Sequence, residues 1–460
     1  MKDYGRYSFW LEHSGDDLTP RPALDGAIDV DVAILGAGYT GLWTAYYLLE
    51  RDPSLRIAIL EAEIAGFGAS GRNGGWCFSG FPVPPADLLK EHGYDTARLI
   101  TQEMYRAVDE VGRVSREQGI DVHYRKGGEM EVARAGYDMP KIEEKMAGFR
   151  ALGLEDHYRI LDADEARERV NVANALGGFL NHEGATIQPA RLARGLARVV
   201  ERMGATIHEQ TRVTDYTTGP RPAVRTARGT VTARTIVLAG EAYLSRLPGL
   251  RRRVIPMTSH MVITEPLDEV RWARIGWDNR ELLGGWGTQA GYINHTADGR
   301  IAFGAYRPNY PFRSRITDAI DVNPDVSAHA RASALAWFPA LEGVRFTHEW
   351  GGVFGVPRNR MPVMTYDPAT GIAAAYGYTG QGVATANLAG RVLTDLITET
   401  DSPLASLPMT RREERNWERE PFRWLGVTYV RKSRVRALED VERRGAYPKR
   451  KMLAQRIYDY

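Results

Sequence analysis

The sequence contains a single cysteine, Cys77, among its 460 residues. One cysteine excludes intramolecular disulfides and metal sites built from several thiolates, and we predict no metal site. Such sparing use of cysteine is typical of proteins from a reducing compartment. The predicted location is therefore the cytoplasm.

Lysine and excess charge of either sign are also scarce. The 60 basic residues comprise 52 arginines and only eight lysines, and no lysine occurs between positions 147 and 431. Against 58 acidic residues, they leave a formal net charge of +2. We predict no nucleic-acid partner, because the chain has no large basic excess with which to neutralise phosphates.

Targeting and membrane-spanning segments are not visible either. The N-terminal sequence MKDYGRYSFWLEHSGDD has no apolar stretch followed by a small-residue cleavage site, so no signal peptide is predicted. Residues 32–49 carry no charge, and their length is about the minimum for a membrane span. Glycines, threonines and aromatic residues are scattered through this segment. We interpret it as a buried strand that continues into a helix, and we predict no membrane span.

The hydrophobic pattern predicts two blocks of alternating strands and helices with β-rich segments between them. The first block is a βαβ unit, with strands at 27–35 and 55–60 and a helix from Thr40 to Leu49. The remaining predicted elements are a helix at 87–119, a hairpin at 122–133 that turns at Gly127-Gly128, a helix at 189–203, a strand at 206–210, a hairpin at 216–228, strands at 235–239, 254–266 and 291–306 (the last turning at 297–299), a strand at 372–378 and a helix at 383–398.

A glycine-rich turn lies inside the βαβ unit. Residues 36–41 read GAGYTG, which is the GxGxxG fingerprint of dinucleotide-binding proteins. The glycines allow the tight turn, the approach of the backbone to a pyrophosphate and close packing of the helix on the strand. Glu61 follows the second strand, where an acidic residue accepts hydrogen bonds from ribose hydroxyls and disfavours a 2′-phosphate. The unit therefore predicts a dinucleotide site with little preference for NADP.

A second run of mostly small residues follows at once. Residues 68–75 read GASGRNGG, a composition that brings the backbone close to a large, flat ligand. Arg72 and Asn73 could donate hydrogen bonds to charged or carbonyl oxygens. From composition alone, a flexible surface loop is the alternative.

With these motifs the chain resembles the D-amino-acid-oxidase-like (DAO) superfamily of FAD-dependent amine oxidoreductases, which includes glycine oxidase and the sarcosine oxidases. Within it, the chain is most similar to the gamma-glutamylputrescine oxidase-like group. The stretches that carry the resemblance are GAGYTG (36–41), GASGRNGG (68–75), WGGVFGVPRNRMP (350–362), GYTGQGV (377–383) and EPFRWLGV (420–427). The resemblance implies an α/β (α+β overall) fold, in which a Rossmann-type FAD-binding domain is interleaved with a mixed-sheet substrate domain.

The resemblance also implies a set of FAD-binding residues. The 68–75 run would pack beside the isoalloxazine, and residues 380–382 would open a helix whose N-terminus faces the flavin N1/C2 carbonyl edge. The backbone of Val213 would meet the adenine side. The predicted FAD-binding residues are Gly36, Ala37, Gly38, Tyr39, Thr40, Gly41, Glu61, Ala62, Gly68, Ala69, Ser70, Arg72, Asn73, Gly74, Gly75, Val213, Gly240, Gly380, Gln381, Gly382 and Val383.

Cys77 raises the alternative of a covalent flavin thioether. Members of this superfamily that attach FAD through cysteine do so from the C-terminal flavin segment, which has no cysteine here. We therefore predict noncovalent FAD, with Cys77 packed near the flavin loop.

The resemblance places the substrate between the flavin and the second domain's sheet. Strand regions 257–262, 286–294 and 303–307, with the approach at 358–360, are the predicted substrate contacts. The aromatic wall would comprise Trp286, Tyr292, Tyr306 and Tyr378; His260 and His295 are candidate polar groups; and Arg358 and Arg360 are candidates for binding a carboxylate. Among these, the predicted catalytic residues are Tyr292, His260, Tyr378 and Arg358.

The implied reaction is hydride transfer from a carbon beside a neutral amine nitrogen to flavin N5, giving an imine that hydrolyses. The predicted partners are an amine or amino-acid substrate and O₂, or another electron acceptor. Two alternatives remain open: an FAD-dependent dehydrogenase of a 2-hydroxy acid or polyol phosphate, and a flavin-binding scaffold subunit without turnover of its own.

The predicted domain division assigns residues 1–82, 155–250 and 350–460 to the FAD-binding domain and residues 83–154 and 251–349 to the substrate domain. The tail after Pro408 is rich in arginine and aromatic residues. We expect it to pack over the FAD-binding domain, with contact to a membrane or a partner as the alternative.

Overall fold

The computed structural model describes residues 2–317, 322–411 and 415–447. Within these ranges, no helix combines the length and apolar character that a bilayer span needs. The uncharged segment at 32–49 forms a buried strand and most of a buried helix, as the sequence predicted.

Twenty strands are present in the described ranges. In chain order they are β1 Ile28–Asp29, β2 Val32–Leu35, β3 Ile57–Leu60, β4 Trp76–Phe78, β5 Glu129–Ala133, β6 Tyr158–Leu161, β7 Gly177–Asn181, β8 Gly184–Thr186, β9 Thr206–His208, β10 Val213–Tyr216, β11 Ala223–Thr226, β12 Thr230–Thr232, β13 Thr235–Leu238, β14 Val254–Thr264, β15 Leu282–Gly285, β16 Gly291–His295, β17 Ile301–Asn309, β18 Phe346–Pro357, β19 Val363–Asp367 and β20 Ile372–Tyr376.

Eleven α-helices accompany them in the same part of the chain. They are α1 Phe9–Glu12, α2 Tyr39–Arg51, α3 Pro85–His92, α4 Tyr94–Glu117, α5 Met139–Arg150, α6 Ala163–Arg169, α7 Pro189–Arg202, α8 Glu269–Ile275, α9 Pro324–Trp337, α10 Gly382–Ile397 and α11 Phe422–Arg444.

A six-stranded sheet organises the first part of the fold. Its order is β19-β20-β13-β2-β3-β9, and every pair is parallel except β19 with β20. The chain leaves β2 through α2 and enters β3 on one side, whereas β13 pairs on the other side from far along the sequence. The strand order therefore reverses at β2, and a ligand crevice is expected beyond the carboxyl ends of β2 and β13.

Helices α2 and α10 pack against each other on this sheet. Gly390 of α10 lies against α2 so closely that a Cβ there would be 2.8 Å from the Cβ of Trp43. Trp43 is fully buried in a large core cluster together with residues of both helices. This packing fixes the N-termini of both helices at the crevice edge of the sheet.

An eight-stranded mixed sheet forms the second part. Its order is β18-β14-β17-β16-β15-β5-β7-β6, and only β15 with β5 is parallel. The predicted turn at 297–299 connects β16 and β17, which pair antiparallel. Helix α9 covers this sheet, and Trp337 and Phe338 are buried in its core.

The predicted hairpin at 122–133 is wrong. Strand β5 pairs with β7 and β15, and Arg125 makes only an isolated bridge to Thr186. Gly127 and Gly128 serve close backbone approach rather than a hairpin turn. A Cβ on Gly127 would overlap the Asn279 carbonyl, and one on Gly128 would lie 2.8 Å from the Asn181 carbonyl oxygen.

The two large sheets suggest a modified domain division. Strands β6 and β7 belong to the eight-stranded sheet although they lie in the 155–250 stretch that the sequence assigned to the FAD-binding domain. Strand β18 also belongs to that sheet and runs past position 350. We propose that two stretches predicted for the FAD-binding domain belong instead to the substrate domain. These are the residues from 155 to about Asn181 and the residues from 350 to Pro357.

Candidate functional site

A cavity of about 1130 Å³ lies between the two large sheets. It begins at the carboxyl ends of β2, β3 and β13 and extends to β14, β16 and β17 of the eight-stranded sheet. Most of the predicted FAD-binding residues line it: Gly36, Gly38, Tyr39, Thr40, Glu61, Ala62, Gly68, Ala69, Ser70, Arg72, Asn73, Gly74, Val213, Gly240, Gly380, Gln381, Gly382 and Val383. Ala37, Gly41 and Gly75 lie outside its lining.

The turn at 36–41 is built as its sequence predicts. Gly36 has φ of +105°, and a Cβ there would lie 2.8 Å from the Ala239 carbonyl oxygen. Gly41 lies in the first turn of α2, where a Cβ would overlap the carbonyl oxygen of Gly36. Glycine is required at both positions, because any side chain would separate α2 from the strands or block the turn. The start of α2 borders the cavity, because Gly38, Tyr39 and Thr40 line it.

Glu61 closes this end of the cavity at the carboxyl end of β3. Its side chain accepts hydrogen bonds from the backbone N–H of Ala37 at 2.9 Å and of Glu63 at 3.0 Å. Burial raises the pKa of Glu61 to about 7, although the two N–H donors oppose the shift. The carboxylate is thus held beside the glycine turn with acceptor capacity left for further donors.

The 68–75 run folds over the N-terminus of α2 and is not a loose surface loop. Ser70 Oγ accepts a hydrogen bond from the Tyr39 N–H at 2.9 Å. Asn73 donates to the carbonyls of Ala69 and Ser70 at 3.2 and 3.1 Å, so its side chain holds the run together. Arg72 Nε donates to the Phe67 carbonyl at 2.8 Å, and its guanidinium stacks over the Phe67 ring. A ligand here meets mainly the backbone of this run.

A second helix N-terminus faces the cavity. Thr379 and Gly380 have positive φ values and lead through Gln381 into α10. The Tyr378 hydroxyl lies 2.8 Å from Thr40 Oγ1, so the segment before α10 is hydrogen-bonded to α2. Two positive helix ends therefore converge on one cavity, an arrangement that favours negative charge on a ligand.

Glu241 is a cavity residue that the sequence reasoning missed. It follows β13 with φ of +47°, and its carboxylate accepts from the N–H of Gly355 at 3.0 Å and of Gly377 at 2.8 Å. Burial raises the pKa of Glu241 to about 7, although these two donors and the Tyr378 N–H oppose the shift. Its position directly after the predicted Gly240, at the end of a parallel strand, was the available signal.

The aromatic residues predicted for the substrate end do line the cavity. The Tyr292 ring lies between two glycines: a Cβ on Gly74 would be 2.6 Å from it, and one on Gly304 would overlap it. Its hydroxyl is 2.6 Å from Ser259 Oγ, and burial raises the pKa of Tyr292 to about 12. The Tyr306 ring centre is 5.6 Å away, and Trp286 and Tyr378 also line the cavity.

Two predicted polar contacts, His260 and His295, do not line the cavity. His260 projects to the opposite side of β14 from Met257 and Ser259, which do line it, because side chains alternate along a strand. His295 stacks on Trp272 with ring centres 3.9 Å apart, and burial lowers its pKa to about 4. Neither histidine is positioned as predicted.

The two arginines predicted near 358–360 differ in position. Arg358 pairs with Glu418 at 3.1 Å and lies over the Trp417 ring, away from the cavity. Arg360 lines the cavity with φ of +62°. Of this pair, only Arg360 is placed where it could meet a ligand.

Cys77 is buried in β4, which pairs with β8, and does not line the cavity. Burial raises the pKa of the thiol, so it stays protonated and unreactive. This position gives no support to a thioether link through Cys77.

The fold and the cavity together define a flavin-dependent oxidoreductase. The family model "FAD dependent oxidoreductase" (DAO) matches residues 31–396, and the chain belongs to that family. It is 31% identical over 427 residues to gamma-glutamylputrescine oxidoreductase of Escherichia coli, covering 92% of this chain and 97% of the relative. It is 24% identical to the sarcosine oxidase subunit beta of Rhodobacter capsulatus, covering 82% and 86% of the two chains.

Solved structures show the same fold. The glycine oxidase of Geobacillus kaustophilus superposes with a TM-score of 0.71 at 21% identity, covering 84% of this chain and 100% of that one. The predicted fold class, a Rossmann-type domain interleaved with a mixed-sheet domain, is confirmed.

The cavity residues fit FAD. The cavity extends from Glu61 and Val213 at one end to the aromatic residues at the other end, and the N-termini of α2 and α10 border it between these ends. Glu61 would hold ribose hydroxyls, the N-terminus of α2 the pyrophosphate, and the N-terminus of α10 the part of the flavin that gains negative charge.

Replacing Glu61 by alanine is expected to weaken FAD binding by about 1–3 kcal/mol, because hydrogen bonds to a charged group are lost. Titration of apoprotein with FAD, followed by flavin fluorescence, measures the change. Glu63→Ala is the matched control, since Glu63 lines the same end but pairs with Lys2 and Arg212. An unchanged FAD dissociation constant in Glu61→Ala would exclude Glu61 from the ribose contact.

The raised pKa of Glu241 predicts a pH-dependent stability of the apoprotein. A raised folded-state pKa stabilises the fold below the ordinary value of 4.5, and that stability is lost as the pH rises towards about 7. Relative to Glu241→Gln, the wild-type free energy of unfolding should fall by up to about 3 kcal/mol between pH 4.5 and 7.5. Urea denaturation of both apoproteins checks this. The raised pKa of Glu61 affects both proteins equally, so its contribution cancels in the difference between them. Parallel pH profiles of the free energy of unfolding for wild type and Glu241→Gln would contradict the prediction.

Proposed function

We propose that the protein oxidises the C–N bond of a small amine or amino acid. The observation that carries the proposal is the position of Tyr292, partly buried between Gly74 and Gly304 in the same cavity as the N-terminus of α10. The similarity to enzymes named for gamma-glutamylputrescine and sarcosine supports the same class of substrate. FAD, when bound, would accept hydride from the carbon beside the amine nitrogen, and the resulting imine would hydrolyse in water.

The cavity favours the neutral form of an amine. Aromatic and apolar residues line its substrate end, and desolvation there disfavours an ammonium ion. The acidic residues among the described part of the lining are Glu61, Glu63 and Glu241. All three already have partners: Glu61 and Glu241 accept backbone N–H groups on both oxygens, and Glu63 pairs with Lys2 and Arg212. No strong base is required, because the amine enters the reaction deprotonated.

Tyr292 and α10 would do different work in this reaction. The neutral Tyr292 hydroxyl, next to Ser259, can accept a hydrogen bond from an amine N–H and so orient the nitrogen. The N-terminal amides of α10 favour negative charge that develops in the cavity. Tyr378 would only help to position the start of α10 relative to α2, through its hydrogen bond to Thr40.

Product analysis tests the proposed reaction. Holoenzyme incubated anaerobically with polyamines, amino acids and N-methyl amino acids should form one aldehyde or keto acid for each flavin reduced. Ammonia or a shorter amine should appear in equal amount. A flavin that no small molecule reduces would instead support a scaffold subunit.

We propose O₂ as the electron acceptor, with a cation other than lysine assisting it. None of the described lysines lines the cavity, whereas Arg246, Arg307 and Arg360 do. Mixing reduced enzyme rapidly with O₂ should give reoxidation faster than that of free reduced flavin, because a positive charge in a low-dielectric site stabilises superoxide. A rate no higher than that of free flavin would make the enzyme a dehydrogenase with a separate acceptor.

A further inference from the structure

We propose that helix α11 forms the roof of the substrate end of the cavity, and that Arg431 on this helix binds an anionic group of the substrate, such as a carboxylate. The inference rests on the proposed function for the identity of the reacting amine. It adds a second recognition element, contributed by a part of the chain beyond the 31–396 match to the family model.

One stripe of α11 faces the cavity. The lining residues follow a spacing of three and four, which places them on one side of a helix: Val427, Val430, Arg431, Arg434, Val435 and Leu438. Lys432, Arg436 and Glu439 are exposed on other sides. The stripe is aliphatic apart from its two arginines, so the helix presents an apolar roof that carries positive charge.

The roof is attached at both ends. Before α11, Trp417 Nε1 donates to the Val356 carbonyl at 2.9 Å, and Trp417 is buried in a cluster with Val427 and Val430. Near the end of α11, the Glu442 carboxylate accepts from the N–H of Thr288 at 2.7 Å and from its hydroxyl at 2.9 Å. Since Thr288 itself lines the cavity beside Trp286, these contacts place α11 over the aromatic end.

Arg431 differs from three buried arginines that have carboxylate partners. Arg194 pairs with Glu209, Arg391 with Glu103 and Arg423 with Glu420. Arg431 is half-buried, yet across the described ranges it has no hydrogen-bond, ion-pair or ring partner. Burial lowers the pKa of Arg431, and no neighbouring carboxylate offsets that cost. A charge kept in a partly desolvated cavity without a protein partner is suited to an anionic ligand.

Other charges at this end agree with an anionic substrate group. Arg307, which follows Tyr306 on β17, and Arg360 line the same cavity. Glu241, described above, already accepts a backbone N–H on each carboxylate oxygen. A substrate that carries only ammonium groups would meet net positive charge here, whereas a carboxylate-bearing amine would be attracted.

Ligand binding to oxidised holoenzyme tests the proposal without turnover. The probes are straight-chain monocarboxylates and their neutral amides, followed by the change in flavin absorbance. Wild type should bind the best carboxylate more tightly than its amide. Arg431→Gln should weaken carboxylate binding by about 10- to 100-fold and leave amide binding unchanged. Arg431→Lys should restore part of the loss, and the exposed Arg436→Gln should behave as wild type.

Equal binding of carboxylates by wild type and Arg431→Gln would overturn the proposal, as would a wild type that does not prefer carboxylate over amide. With amino-acid substrates, Arg431→Gln should raise KM and leave kcat near wild type, because the reacting amine is held elsewhere. If no amine reduces the flavin but the carboxylate results hold, the proposed reaction fails and the role of Arg431 stands.

Discussion

Replacing Gly41 by alanine is expected to give a folded but colourless protein, with FAD affinity lowered at least about 100-fold. The added Cβ would overlap the Gly36 carbonyl oxygen, so α2 must move away from β2 or the turn must open. Either change removes the helix N-terminus from the pyrophosphate position. Absorbance at the flavin bands after purification, and titration of apoprotein with FAD, measure the loss.

Gly136→Ala is the matched control, because a Cβ there meets nothing within 4 Å. That variant should be yellow and bind FAD as wild type does. Circular dichroism of the Gly41→Ala protein separates a lost site from a lost fold. A folded Gly41→Ala protein with an unchanged FAD dissociation constant would show that the turn does not hold the cofactor.

At pH values below the amine pKa, the rate of flavin reduction by the substrate amine is expected to rise about tenfold for each unit by which the pH increases. The reason is that only the neutral amine gives up hydride. For an amine with a pKa near that of lysine, about 10.4, the second-order rate constant should rise about 100-fold between pH 7.5 and 9.5. Tyr292 does not titrate in this window, since its pKa is raised to about 12. Stopped-flow absorbance under anaerobic conditions gives the rate constants.

A substrate analogue with an electron-withdrawing substituent is the control for this profile. Its lower amine pKa should move the break in the profile down by the same amount. If the break in the pH profile stays at the same pH for both amines, the titrating group belongs to the protein and not to the substrate. A rate that falls with rising pH would contradict reaction of the neutral amine.

The sequence predicted the parts of the fold that depend on local pattern. The turn at 36–41, Glu61 at the end of β3 and the start of α10 near 382 were predicted within one or two residues. Glycines at fixed offsets and a change from strand to helix periodicity define these features locally. The residues that the resemblance assigned to FAD mostly line one cavity, but their individual roles remain proposals.

Features that depend on distant contacts were not predictable in the same way. The side of β14 from which His260 projects is set by pairing with β17 and β18, which no local pattern specifies. Arg358 is drawn away from the cavity by Glu418, 60 positions along the chain. The tail was expected to pack over the FAD-binding domain. Instead, its helix α11 covers the cavity between the two sheets, and the valines of α11 contact β14 and β18.

Oxidation of amines by this flavoenzyme can be tested against oxidation of alcohols by comparing substrates in pairs. Oxidised holoenzyme is mixed without oxygen at pH 8.5 with matched pairs that differ only in an amino or a hydroxyl group, such as alanine with lactate. At least one amine should bleach the flavin absorbance while its hydroxyl counterpart should not. Bleaching by a hydroxy acid or a polyol phosphate, with no reduction by any amine, would contradict it.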